Sequence, residues 1–175
     1  MGCYRITSGG SKLNAFDVDE ITAISTLEKA YQLGVRFFDS APSYGNGQSH
    51  KRMGDAFGHL KGDDIVISTK LSGTPDNVDD YTYDSCMRSF EQTLKDLQRD
   101  YVHILQIHGR AMVAGESIQE FEERQWNQAF GKGMAYEALL DIRDQGGCHY
   151  IGITSDWSPL LQRALEYTDF DSIEI

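Results

Sequence analysis

No apolar run in this chain approaches the roughly 18 residues that a membrane-spanning helix requires. Basic residues are few: 16 Lys and Arg stand against 27 Asp and Glu, a net charge of −11. With no basic stretch to offset it, that balance argues against nucleic acid or an anionic membrane as partner. An acidic surface on its own is an ordinary solubility device. The three cysteines, Cys3, Cys86 and Cys148, are odd in number, far apart and without a CxxC spacing. They read as reduced thiols of a cytoplasmic protein, neither a disulfide framework nor a zinc site. The start, Met1-Gly2-Cys3-Tyr4-Arg5-Ile6, lacks a signal peptide's apolar region, and Ile6 stands where an acylation signal wants Ser or Thr. No GxGxxG follows a strand-like segment, so a dinucleotide-binding doubly wound sheet has no fingerprint. No HxH pair occurs, which a metal-dependent barrel hydrolase would want.

What is present is a regular alternation. The 175 residues suffice for one domain with a real core, yet fall short of the about 250 typical of a complete (β/α)8 barrel. Residues 1–15 are Gly- and Ser-rich without a clear period and read as a loose leader; residues 16–175 read as the barrel domain. Asp17, with Glu20 three positions on, has the look of a helix cap. Ile24, Leu27, Ala30 and Tyr31 then share a helical face, and Gly34 is a stop. Strands are expected at Val35–Phe38, Ile65–Thr69, Tyr101–Ile107, His149–Ile153 and from Phe170. Helices are expected between them, at Gln48–Phe57, about 84–98 (inward stripe Met87, Phe90, Leu94, Leu97), about 133–145 and from Ser158-Pro159 to about Tyr167. The polar stretch 109–130 reads as an excursion with a short helix of its own. Strand and helix in alternation imply parallel strands joined by right-handed crossovers, an α/β architecture.

In such a barrel the active face lies at the C-terminal ends of the strands. Asp39, Lys70 and His108 each follow directly on an expected strand, on three successive ones, and Tyr44 lies in the loop after the first. Taken singly, each has a plain structural reading: a turn cap, a turn shield, a solvated strand end, one of five histidines. Their common register favours a joint role. A free phenol, with a pKa of roughly 10, is a poor acid at neutral pH. A neighbouring ammonium lowers that pKa, a carboxylate beside the ammonium holds it, and a histidine can orient a substrate oxygen. Such a group suits proton transfer at a carbonyl oxygen while hydride moves at carbon, the hydride coming from a cofactor.

The stretch FFDSAPSYGNGQS resembles the aldo-keto reductase signature at the second barrel strand. IVISTK, SFEQTLKDLQRDYVHILQIH and ALLDIRDQGGCHYIGIT resemble that family's third, fourth and fifth strands with their helices. The resemblance runs from Asp17 to Ile175 and implies a partial (β/α)8 TIM barrel, roughly strands 2 to 6. It also implies an NADP- or NAD-dependent oxidoreductase with Asp39, Tyr44, Lys70 and His108 as its catalytic tetrad. Asp39 together with Thr154, Ser155 and Asp156 would meet the nicotinamide. The finer pattern, with APSYGNG, TYDSCMRSFEQTL and the long excursion after His108, resembles the aldose 1-dehydrogenase branch, in which the substrate is a small carbonyl or sugar hemiacetal.

Departures from the family pattern are also visible. His50 stands where the family has Glu, and Thr154-Ser155-Asp156 where it commonly has Ser and Asn. The first strand is not recognisable in the leader, and the seventh and eighth are not seen. The chain therefore reads as an incomplete barrel, with a non-catalytic fragment or a partner-dependent interaction module as the alternative. A barrel hydrolase or isomerase is the third reading. Substrate, NAD versus NADP, and oligomeric state stay open on these residues.

Overall fold

The computed structural model describes residues 1–9, 16–60, 62–74, 77 and 79–175. A small antiparallel pair, β1 (Ser8–Gly9) with β2 (Phe16–Asp17), precedes five parallel strands. These are β3 (Phe37–Asp39), β4 (Val66–Leu71), β5 (Val102–His108), β6 (Cys148–Thr154) and β7 (Ser172–Glu174), side by side in chain order. Between them run α1 (Glu20–Gln32), α2 (Gln48–Phe57), α3 (Tyr83–Leu97), α4 (Ile118–Phe130), α5 (Ala135–Asp144) and α6 (Ser158–Tyr167). The parallel α/β architecture expected from the alternation, and the partial barrel that the resemblance implied, are the fold observed.

Register sorts the side chains into two faces, because successive residues of a strand point opposite ways. Phe38, Ile67, Leu105, Ile107, Ile151 and Ile153 share the face under the helices and are all buried. They meet Leu27, Phe57, Phe90, Leu97, Leu139, Ile142 and Leu161 from the helices in one core. The opposite, inner face carries Asp39, Ser68, Lys70, Gln106, His108, Thr154, Ser172 and Glu174. Its apolar members Phe37 and Tyr150 are exposed. At the crossing of α2 and α3 the backbones come so close that a Cβ on Gly54 would lie 2.1 Å from the carbonyl oxygen of Asp96. Only glycine fits there.

Several boundaries differ from expectation for local reasons. The cap of α1 is Asp19, whose carboxylate accepts from Thr22 N at 2.9 Å. Asp17 lies in β2 instead. Val35 and Arg36 fall outside β3, because Arg36 turns back over the Tyr31 ring, 4.1 Å from its centroid, and donates to the Tyr31 carbonyl. The buried face of α3 is Ser85, Cys86, Ser89, Phe90, Thr93 and Leu97, with Met87 and Leu94 only partly buried at its border. The excursion helix α4 is a full 13 residues, started by a reciprocal capping box between Ser117 and Glu120.

The beginning of the chain departs most. Met1–Cys3 run parallel to β3: Asp39 N donates to the Met1 carbonyl at 2.9 Å, and Cys3 N to the Asp39 carbonyl at 2.8 Å. Cys3 and Ile6 are buried, so Met1–Gly9 are not the loose leader that their composition suggests; residues 10–15 of that leader lie outside the described residues. Three residues are too few to show a period, which is why this strand-like pairing is invisible in the sequence. All three cysteines are free and buried. Among the described residues no helix is long and apolar enough to cross a membrane, and no group of three metal-ligating side chains converges.

Candidate active site

Asp39 ends β3 and Lys70 lies near the end of β4, one strand over. The Lys70 side chain is buried, and its ammonium contacts the Asp39 carboxylate. A second carboxylate, Glu174 at the end of β7, approaches the same ammonium at 2.8 Å. His108 closes β5 and pairs in register with Thr154 of β6, which in turn pairs with Glu174.

Tyr44 sits in the turn between β3 and α2. The turn is built on left-handed backbone at Gly45, Asn46 and Gly47. It is locked from beneath by a buried chain in which Ser40 Oγ donates to Ser49 Oγ at 2.8 Å and Ser49 Oγ donates to the Cys3 carbonyl at 2.9 Å. The beginning of the chain packs on it from the other side: a Cβ on Gly45 would lie 2.5 Å from Thr7 Cβ, and the Tyr4 ring meets that of Tyr44 edge-on at 5.0 Å. The phenol is thereby placed beside His108, with ring centroids 6.3 Å apart.

The electrostatics differ in sign from the expectation for the tyrosine. Burial, followed by the charges of Asp39 and Glu174, pushes the Tyr44 hydroxyl up to about 12. The expected lowering by Lys70 is not realised: burial is the largest effect, and that ammonium is engaged by two carboxylates. Burial, with Arg110 and Lys70 adding to it, pushes His108 down to about 3, so the imidazole is neutral at physiological pH. Its Nδ1 is buried without a hydrogen-bond partner among the described residues. Such an atom costs about 1–3 kcal/mol, and its persistence points to a functional position.

Beside Tyr44 and His108 opens a cavity of about 670 Å³. Its walls include Tyr4, Met112 and Val113 as apolar members and Asp79, Arg110 and Gln128 as polar ones. The far wall is tied down by Arg124, which holds Glu116 through Nε at 2.6 Å and Nη2 at 2.9 Å and also donates to the Ala111 carbonyl. Arg110 Nε pairs with Asp79 at 3.0 Å.

This arrangement of strands has counterparts among known proteins. Residues 5–175 match the Aldo/keto reductase family. The chain belongs to that family. It is 30% identical to a pyridoxal 4-dehydrogenase of Microbacterium luteolum over 88% of its own length and 52% of the relative's. It is 28% identical to a D-threo-aldose 1-dehydrogenase of a Pseudomonas species, covering 98% of the chain and 55% of that relative. A solved aldo-keto reductase of Klebsiella pneumoniae in complex with NADPH superposes with a TM-score of 0.61 at 20% identity, over 83% of this chain and 43% of that one. The chain spans about half the length of the curated relatives it matches.

The resemblance placed the nicotinamide contacts at Asp39 and, at the end of β6 and just beyond it, at Thr154, Ser155 and Asp156. Thr154 lies there at the rim, its carbonyl accepting from Gly109 N at 2.7 Å. Ser155 is buried, and its Oγ accepts from Trp157 N at 3.1 Å. Asp156 is exposed, and among the described residues no hydrogen bond joins it to the cluster. His50, the departure from the family pattern, is buried with Nε2 2.8 Å from Thr69 Oγ1, pinning α2 to β4. Burial and then Lys70 push it down to about 3, so it too is neutral. Sequence reading missed Glu174, Tyr4 and Arg110. Only Arg110, two residues after a strand-end histidine, carried a local signal.

Proposed function

We propose that this chain carries the acid/base centre of an NADP- or NAD-dependent oxidoreductase. The reaction interconverts a carbonyl or sugar hemiacetal and its alcohol or lactone. The observation that supports it best is the gathering of Asp39, Tyr44, Lys70 and His108 at the ends of three adjacent parallel strands, beside a cavity.

The nicotinamide, when bound, supplies or accepts the hydride. The residues present fit its carboxamide end: Ser155 Oγ accepts from the Trp157 amide and keeps its own proton for an outside acceptor, and Thr154 adds a second hydroxyl at the rim. Asp156, exposed and unattached, is left out of that set. Tyr44 Oη gives its proton to the substrate oxygen in the reducing direction and takes it back in the oxidising one. A phenol raised to about 12 is fully protonated at neutral pH, as the donor role needs. Neutral His108 orients the same oxygen by a hydrogen bond. Lys70, anchored by Asp39, supplies positive charge against the charge that develops on the phenol oxygen.

The relatives' names, a pyridoxal and an aldose dehydrogenase, favour a small polar aldehyde or cyclic hemiacetal. The cavity is of a size for one such ligand, with apolar and hydrogen-bonding walls. The test is a tryptophan fluorescence titration with NADPH and NADH, followed by turnover of aldoses and pyridoxal. Saturable quenching and turnover that vanishes in Tyr44→Phe are expected. Turnover retained by Tyr44→Phe would remove the phenol from the reaction.

A further inference from the structure

Lys70 belongs to β4 and Glu174 to β7, with β5 and β6 between them. In a flat sheet three strand spacings of about 4.8 Å would hold their backbones roughly 14 Å apart. Yet Lys70 Nζ and Glu174 Oε2 are 2.8 Å apart, because the inner face curves and both side chains lean across it. The other side of the same ammonium is taken by Asp39 from the neighbouring strand. The ammonium is buried while the Glu174 side chain is 42% exposed, so the second carboxylate reaches in from the rim.

We infer that Glu174 is a positioning residue of this site: with Asp39 it forms a two-carboxylate clasp that fixes the Lys70 ammonium and sets the acidity of Tyr44. The inference rests on the reading of Tyr44 as the acid/base group. A lysine shared between two carboxylates has less of its charge available to a nearby phenolate, and a second carboxylate opposes phenolate formation directly. Both effects have the same sign. The groups that bear on the Tyr44 hydroxyl are Asp39 on β3, Glu174 on β7, and Cys3 and Tyr4 from the beginning of the chain. His108 on β5 is neutral and faces it edge-on. Among the described residues, Asp39 and Glu174 are the charged groups that contact the lysine. The Asp39 side chain is 16% exposed and that of Glu174 42%, so Glu174 can be changed with less disturbance of the core.

The test reads the phenol and does not depend on turnover. The ionised fraction of Tyr44 is taken as the ultraviolet difference between each protein and its Tyr44→Phe counterpart, at the highest pH at which all keep their folded spectrum. Glu174→Gln is expected to lower the phenol's midpoint by about one unit, an ionised fraction about ten times higher at a fixed pH. Glu174→Asp, which keeps a charge on β7 but draws it back by one methylene, gives a smaller shift in the same direction and serves if Glu174→Gln fails to fold. Where a substrate is turned over, the high-pH limb of the rate profile moves down with the phenol while KM is unchanged. An ionised fraction equal to that of the parent in folded variants overturns the inference. Absence of turnover with a shifted phenol leaves the clasp standing and removes only the proposed reaction.

Discussion

The rings of Tyr44 and His108 stand edge to face, their centroids 6.3 Å apart and their planes at 80°. The tyrosine comes from a loop and the histidine from a strand end, so this contact joins the turn after β3 to the end of β5. Replacing Tyr44 by Phe keeps the ring, and with it the contacts to Tyr4 and His108, but removes the exchangeable proton. Turnover should fall roughly 100- to 10,000-fold, while thermal unfolding and cofactor quenching stay close to those of the parent. A parallel loss of cofactor binding would show that the ring is structural.

Two buried histidines make stability depend on pH. His50 and His108 are both pushed down to about 3 in the folded chain, from an ordinary value of 6.5. The unfolded chain takes up these protons near 6.5 and the folded chain only near 3. Their contribution is therefore complete above about pH 6.5 and is lost as pH falls toward 3. The slope is about 1.4 kcal/mol per histidine for each pH unit within that window. Urea denaturation should show midpoints that decline steadily from about pH 7 to about pH 4.5. His50→Gln should make the decline shallower, and an unchanged slope would mean that His50 is not buried neutral.

The close crossing of α2 and α3 allows no side chain at Gly54. Gly54→Ala sets a methyl group against the Asp96 carbonyl, a backbone atom that cannot swing aside. Overpacking of this kind costs about 1–3 kcal/mol, a fall in the thermal midpoint of roughly 2–12 °C for a chain of this size. An unchanged midpoint would show that the two helices can part without cost.

Arg124 ties the cavity wall together and, among the described residues, makes no hydrogen bond to Tyr44 or Lys70. In Arg124→Met the segment 110–117 loses one of its anchors on α4, the Arg110 amide still donating to Gln125. The expected outcome is a KM raised by about tenfold with kcat changed less, since positioning and not proton transfer is disturbed. Hydrogen exchange at the Val113 and Ser117 amides should quicken in the same variant. A fall in kcat alone would place Arg124 in the chemistry instead.

The sequence by itself determined the alternation of strands and helices. The apolar periods and the glycine stops are local, and a strand's end is marked where the apolar run breaks, as at Asp39, Lys70 and His108. It also showed the turn bearing Tyr44, because Pro42, Gly45, Asn46 and Gly47 announce it. Tertiary structure alone decided how these groups act on one another. That Lys70 meets a second carboxylate besides Asp39 depends on Glu174, which reaches it across two intervening strands by the curvature of the sheet. Nothing local to either residue encodes that curvature. Met1–Cys3 likewise become a strand only because β3 offers them an open edge. The direction of the Tyr44 shift follows first from its burial and then from the carboxylates of Asp39 and Glu174. Charge effects on a phenol fall off within several ångströms, and distances of that order exist only after the chain has folded.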